Sequence, residues 1–198
     1  MRLLFIHAHP VPESFGTALC GAAVETARAQ GHEVRLTDLN AEAFNPVMSA
    51  QERRAYAEAG PVPAELVPHV EALHWAEGLI LVYPTWWNSQ PAILKGWMDR
   101  VWRPGVAFTV PDNSSGLRPG LTNIRLLGVI TTHGSPWWLW TFVIGAPGRK
   151  IILRGLRSCT NARTKTFWLG LHDIDGQTGA TRRRYLGRVR ARIAGIPL

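Results

Sequence analysis

Cysteine is scarce in this chain. Its 198 residues include only Cys20 and Cys159, too few for a disulfide framework and compatible with a reducing compartment. Long apolar runs are missing too, for none approaches the roughly 20 residues needed to span a membrane. The apolar stretch at residues 3–6 is too short for the hydrophobic part of a secretory signal. A soluble cytoplasmic protein is expected. Charged residues are 18% of the chain against 46% hydrophobic, a globular composition and not a disordered one. The sequence has no internal repeat, low-complexity tract or linker-like stretch, so one domain over residues 1–198 is expected. It also lacks the G-x-G-x-x-G and P-loop signatures, which counts against those two routes to nucleotide binding.

What is present is unevenly placed. The net charge is +8. Residues 1–148 hold 10 Lys and Arg against 12 Asp and Glu, whereas residues 149–198 hold 12 against 2, a local net of +10. Such asymmetry suits nucleic acid, a membrane surface or a phosphorylated ligand, and equally a solvated basic face. Nucleic acid is set aside, because the basic stretch has no recognition motif and no interleaved aromatic platform. Near the C-terminus, Tyr185, Val189 and Ile193 form the inner stripe of a helix, so several of Arg182, Arg183, Arg184, Arg188, Arg190 and Arg192 must point outward. Contact with acidic lipid or protein stays open.

Strands are expected at 2–8, 32–39, 79–84, 124–133 and 163–171. The first and third are nearly continuous apolar runs, as in central parallel strands. The second alternates, with Val34, Leu36 and Leu39 as its apolar set. Helices alternate with the strands: one from the cap Ser14 to the stop Gly31, one at 49–60, one at 63–78 kinked by Pro68, and one at 91–103. Residues 137–159 read as mostly helical, divided at Pro147 and Gly148, and a helix over 178–195 closes the chain. Five alternations argue an α/β protein with a parallel sheet and helices on both faces, flavodoxin-like or doubly wound; the fold expected is a flavodoxin-like three-layer α/β/α sandwich with a five-stranded parallel sheet in the order 2-1-3-4-5.

Ligands of such folds bind beyond the carboxyl ends of the strands, where the strand order reverses. Three loops therefore matter. The first, residues 7–17, ends with Ser14, Gly16 and Thr17 at a helix start, where free N–H groups and the helix dipole can seat a phosphate; Ser14 is equally a plain N-cap. His7 and His9 have a chelating spacing, but no Cys or carboxylate cluster accompanies them, so core or capping roles are expected and no metal. "HDIDG" at 172–176 resembles the start of a calcium loop, and Arg184 stands where the terminal Glu is needed. The second loop places Trp86 and Trp87 at the mouth of the sheet, ahead of a buried stripe at Ile93, Leu94, Trp97, Met98, Val101 and Trp102. A flat aromatic ligand could stack there. The third loop, 131–138, adds two hydroxyls, a glycine and two more tryptophans. A subunit interface would use the same aromatics.

The segments "AHPVPESFGTAL", "YPTWWNSQPAILKGWMDRV" and "VITTHGS" resemble the three flavin-contacting segments of the NAD(P)H:quinone oxidoreductases of the DT-diaphorase type and their small bacterial relatives. The resemblance implies a flavin, FAD with FMN as the alternative, and NAD(P)H as co-substrate. It implies phosphate contacts from His9, Ser14, Phe15, Gly16 and Thr17, and a ring edge lined by Pro84, Thr85, Trp86, Trp87 and Asn88. Thr131, Thr132, His133 and Gly134 would hold the pyrimidine end. Phe108 and Trp138 are the candidates for substrate contact. It further implies two-electron, ping-pong hydride transfer to a quinone or related aromatic acceptor, in a homodimer with the site at the interface. The chain departs from the pattern in two places. Gly16 replaces an Asn, and the tyrosine and histidine that follow the third loop in better-studied members are missing, which leaves His133 as the candidate for balancing charge on the reduced flavin. Two rival readings are a flavodoxin-type electron carrier and a regulatory ancillary subunit of a membrane transporter.

Overall fold

The computed structural model describes residues 1–56, 60–109 and 116–198. The elements in chain order are β1 (Arg2–His7), α1 (Phe15–Ala29), β2 (Glu33–Asp38), α2 (Ala50–Tyr56), α3 (Val67–Trp75), β3 (Gly78–Thr85) and α4 (Ala92–Val101). They continue with β4 (Phe108–Thr109), β5 (Arg118–Pro119), β6 (Leu126–His133), α5 (Pro147–Lys150), β7 (Lys165–Leu171) and α6 (Gly179–Ala194). Five strands pair in parallel in the order β2-β1-β3-β6-β7, which is 2-1-3-4-5 in a five-strand count. The order reverses between β1 and β3.

Alternation along the strands divides the core into two layers. Leu3, Phe5, Ile80, Val82 and Ile130 face α1 and α6, whereas Leu4, Ile6, Leu79, Leu81, Leu127 and Val129 face the side of α3 and α4. All of these are at most 1% exposed, and burial of each such side chain contributes about 1.5–3 kcal/mol. Both faces of β1, β3 and β6 are covered, so the sequences of β1 and β3 read as nearly continuous apolar runs and that of β6 opens with one.

Several details differ from the sequence reading. Leu36 is 44% exposed, because β2 is an edge strand; beyond Leu36 only Thr37 in the strand and Leu39 just after it are buried. Pro68 does not kink a helix interior. It sits in the first turn of α3, after a short 3₁₀ segment over Ala64–Leu66, where its missing N–H costs nothing. The break within 137–159 falls at Gly145 and Ala146, both left-handed with φ of 82° and 51°, and Pro147 merely opens the next helix. Segments Leu139–Val143 and Ile151–Gly155 are π-helical. Positions 57–59 of the helix expected over 49–60 lie outside the described residues. The short β4–β5 hairpin has no sequence signal.

Arg100 was also unforeseen. It is 4% exposed, on the buried face of α4. Its Nε donates to both oxygens of Glu52 at 3.1 and 3.0 Å, its Nη1 to the Asn45 carbonyl at 2.7 Å and its Nη2 to Glu65 at 2.7 Å. This fork ties α2 and the segment after β2 to α4. Nearby, Gly96 has no room for a side chain, since a Cβ there would lie 2.3 Å from Pro46. Removing one member of a buried ion pair leaves the other charge without compensation. Arg100→Met is therefore expected to destabilise the fold by about 3–5 kcal/mol, read as a lowered urea midpoint with little change in slope.

Candidate functional site

Parallel pairing aligns the carboxyl ends of β1, β3 and β6. His7 lies opposite Val82, and Tyr83, Pro84 and Thr85 lie opposite Thr131, Thr132 and His133. The three turns leaving these strands are therefore neighbours. Ring centroids of His9 and Trp86 are 6.4 Å apart, joining the first turn to the second. The hydroxyls of Thr85 and Thr131 are hydrogen-bonded at 3.0 Å, joining the second strand end to the third. Tyr185 of α6, 2% exposed, donates its hydroxyl to the Thr131 carbonyl at 3.1 Å. Burial raises its pKa well above the ordinary phenol range, so the donor is permanent.

The first turn is held by its own hydroxyls. Ser14 Oγ accepts from the Thr17 N–H at 3.1 Å, and Thr17 Oγ1 donates to the Val11 carbonyl at 3.1 Å. The N–H groups of Phe15 and Gly16, in the first turn of α1, have no intrahelical acceptor. These, more than the hydroxyls, are the donors available to a phosphate. Gly16 packs close to His9, whose Cδ2 would stand 3.3 Å from an added Cβ. His7 is turned into the sheet, with Nδ1 3.0 Å from Asp38 Oδ2. Burial alone would raise the Asp38 carboxyl, but hydrogen bonds from His7 and from the Ala41 and Asn40 N–H groups hold it below its ordinary value. His7 and His9 thus have separate partners, for His9 Nδ1 accepts from the Val11 N–H.

The second turn is unusual in its backbone. Trp86 and Ser89 exchange both backbone hydrogen bonds, at 3.1 and 3.0 Å. Between them, Trp87 and Asn88 are left-handed, with φ of 46° and 65°, as in a type I′ turn. Asn suits that conformation; tryptophan does not, at a cost of roughly 1–2 kcal/mol. Trp87 is also 97% exposed. A strained, bare indole at the switch point of a doubly wound sheet marks a functional loop. Behind it Gln90, 6% exposed, donates to the Gly148 carbonyl at 3.1 Å. That contact brings the start of α5 against the turn, and a side chain at Gly148 would sit 3.3 Å from the Asn88 carbonyl.

The third turn carries Thr131, Thr132, His133 and Gly134. Gly134 leaves its face open, the nearest atom to an added Cβ being Asp175 Oδ2 at 3.8 Å. His133 is another matter. It is 1% exposed, stacked on His172 at 4.0 Å and packed against Trp140 at 4.4 Å. Burial, assisted by His172, pushes its pKa down to about 3. An imidazolium at His133 that balances charge in the slot is therefore corrected to a neutral ring anchoring the turn from beneath. Trp138 stands 57% exposed on the rim, and Trp137 56%. Trp140, by contrast, is buried.

Phe108 is not at this rim. α4 leaves the mouth at Ala92 and runs back along the sheet, and the β4–β5 hairpin that follows is bonded to the segments preceding β6 and β7 (Gly120 N–H to Ala107, Leu121 N–H to Cys159, Asn161 N–H to Ile124). Phe108 packs there against the core. It cannot cap the slot of its own chain. Gln90, Gly148, Tyr185 and His172 join the site without having been singled out as contributors. Their signals were weak: Tyr185 read only as core stripe, and His172 only as the start of a failed calcium loop.

The flavodoxin-like fold family matches residues 1–140. The chain belongs to that family. The flavodoxin-like chain is 32% identical over 156 residues to a ribosyldihydronicotinamide dehydrogenase-like protein of Penicillium crustosum, an alignment covering 68% of this chain and 58% of that one. It is 33% identical over 164 residues to the Homo sapiens ribosyldihydronicotinamide dehydrogenase [quinone], covering 73% and 69%. The chain thus spans less than two thirds of the Penicillium relative. Among solved structures, Smu.1420 from Streptococcus mutans UA159 superposes with a TM-score of 0.81 at 27% identity, covering 99% of this chain and 100% of that one. An FMN-dependent NADH-azoreductase from Bacillus anthracis in complex with FMN shares the fold, with a TM-score of 0.77 at 13% identity over 98% and 97% of the two chains. The resemblance to NAD(P)H:quinone oxidoreductases read in the loop segments is borne out at the level of the family.

Two predictions follow from this geometry. Trp87→Gly relieves the left-handed strain and is expected to stabilise the protein by about 1 kcal/mol, or roughly 2–4 °C in Tm, while weakening any ligand stacked on the turn; a thermal melt with a ligand titration checks both. His133 has a folded pKa below its unfolded value near 6.5. Its contribution to stability is therefore complete above that value and is lost as pH falls toward about 3, at up to about 1.4 kcal/mol per pH unit. His133→Phe should flatten this acid limb in urea titrations between pH 7 and 4.

Proposed function

We propose that this protein is a flavin-dependent NAD(P)H oxidoreductase that reduces a quinone or related aromatic acceptor. The observation that carries the reading is the convergence of an open helix start, a strained tryptophan turn and an open glycine on one rim at the strand-order reversal. The residues fit a flavin. The N–H groups of Phe15 and Gly16, with Ser14, Thr17 and His9 around them, suit a phosphate. The backbone of Pro84, Thr85, Trp86, Trp87 and Asn88 suits the edge of a flat ring, and Thr131, Thr132, His133 and Gly134 its polar end. FAD is the preferred flavin and FMN the alternative.

When bound, flavin supplies the hydride acceptor and donor; the protein supplies position. The rim is an open shelf, with Trp86, Trp87, Trp137 and Trp138 all substantially exposed. One open face can admit the nicotinamide and then the acceptor, each in turn, which implies ping-pong kinetics. The indoles exclude water from one side and orient planar substrates by stacking. Exposed Phe142, Val143 and Ile144 continue the apolar surface away from the rim, which supports a homodimer that covers the site. The two buried thiols suit a reducing cytoplasm.

The test is reconstitution of the purified chain with FAD and with FMN separately. Binding should quench tryptophan fluorescence, mass analysis of natively purified protein should identify the flavin, and NAD(P)H oxidation with a benzoquinone should give parallel double-reciprocal lines. Absence of both flavin binding and NAD(P)H oxidation would overturn the proposal; intersecting lines would overturn the ping-pong order alone.

A further inference from the structure

Beyond the rim, the chain has a second concavity. β7 is the outermost strand of the sheet, so its outer edge has no strand partner among the described residues. A cavity of about 500 Å³ lies against that edge, lined by Trp137, Trp140, Arg149 and Arg188 among others. A second of about 370 Å³ adjoins it, shares Thr141 and Arg149, and adds Lys150 and Arg154. Together they form a groove that starts where the slot ends. Trp137 continues directly from the third turn, and Arg149 follows Gly148, whose carbonyl is bonded to Gln90 behind the second turn.

The chemistry of this groove is one-sided. Arg149, Lys150, Arg154 and Arg188 take part in none of the ion pairs among the described residues. Trp140, 3% exposed, leaves its Nε1–H without an acceptor, and the Thr141 hydroxyl is also without a partner. Guanidinium, ammonium and indole N–H are donors only. The four cations are exposed and have no counter-ion among the described residues, and beside them lies a buried indole N–H without an acceptor; together they suit an anion that accepts several hydrogen bonds. Trp137, 56% exposed at the groove entrance, offers a ring face to a planar group joined to that anion.

We infer that this groove binds the adenosine end of the dinucleotide substrate and reads its 2′-phosphate, making the protein selective for NADPH over NADH. This rests on the slot being a site of NAD(P)H oxidation. The two dinucleotides differ in that one phosphate, and the groove holds its surplus of cations beside the slot where the adenosine half would leave it. Arg149 lines both cavities and is the principal phosphate contact, with Arg188 on the opposite wall; a guanidinium matches a phosphate with two parallel hydrogen bonds.

The experiment uses the full chain and two probes, adenosine 2′,5′-bisphosphate and adenosine 5′-monophosphate, titrated by calorimetry. The bisphosphate should bind at least about tenfold tighter, the worth of one charge-assisted contact. Arg149→Ser and Arg188→Ser should each remove about tenfold of that preference, and Arg163→Ser, a cation outside the groove, should remove none. In steady-state assays Arg149→Ser should raise KM for NADPH relative to KM for NADH. Equal binding of the two probes, or an equal loss in Arg163→Ser, would overturn the inference. A protein that prefers the bisphosphate yet oxidises neither dinucleotide would uphold the groove and overturn the slot.

Discussion

The register between β3 and β6 is the constraint on which the site depends. Because the two strands run parallel, Thr85 and His133 leave the sheet at the same level, and the turns that follow must lie side by side. The hydroxyl bond between Thr85 and Thr131 closes the strand ends, and Tyr185 secures the same point from α6. A one-residue slip would turn every side chain of β6 to the opposite face. Thr131 would then enter the α1 layer, and the third turn would lose both its anchor and its neighbours.

Around that register, stability and function pull in different directions. The core strands are packed to near-complete burial, and the buried Arg100 fork locks α4 in place. At the mouth the same chain keeps a tryptophan in a left-handed turn and leaves four indoles bare or half bare. The cost of the turn is small against the burial energy of the strands below it. A rigid sheet can hold such a turn in place, which a free peptide could not.

The histidines show how far burial decides chemistry. His133 lies in the third turn and its side chain is turned inward against His172 and Trp140, where burial, assisted by His172, keeps it neutral. The positive charge near the slot comes instead from arginines on α5, on the π-helical segment after it and on α6, brought together along the free edge of β7. Arg149, Lys150 and Arg154 are near one another in sequence, but Arg188 is distant, and only the topology brings it to the same edge.

Much of the fold was legible in the sequence. The apolar runs of β1 and β3 announced central strands because both faces are buried, and the stripe from Leu94 to Trp102 announced the inner face of α4. Ser14 and Gly31 marked the ends of α1 by backbone chemistry that acts within a few residues. The three segments of the rim were legible as well, since local residue types at strand ends carry the family's pattern. Other features were not, because they depend on what lies across space: the exposure of Leu36 on an edge strand, the burial of Arg100 between two carboxylates, the removal of Phe108 to the far end of α4 and the inward turn of His133. Local chemistry determined the elements and the composition of the turns. Only the tertiary structure decided which groups face solvent, which lose their charge and which meet, because burial and proximity belong to pairs of distant residues and not to any one stretch of chain.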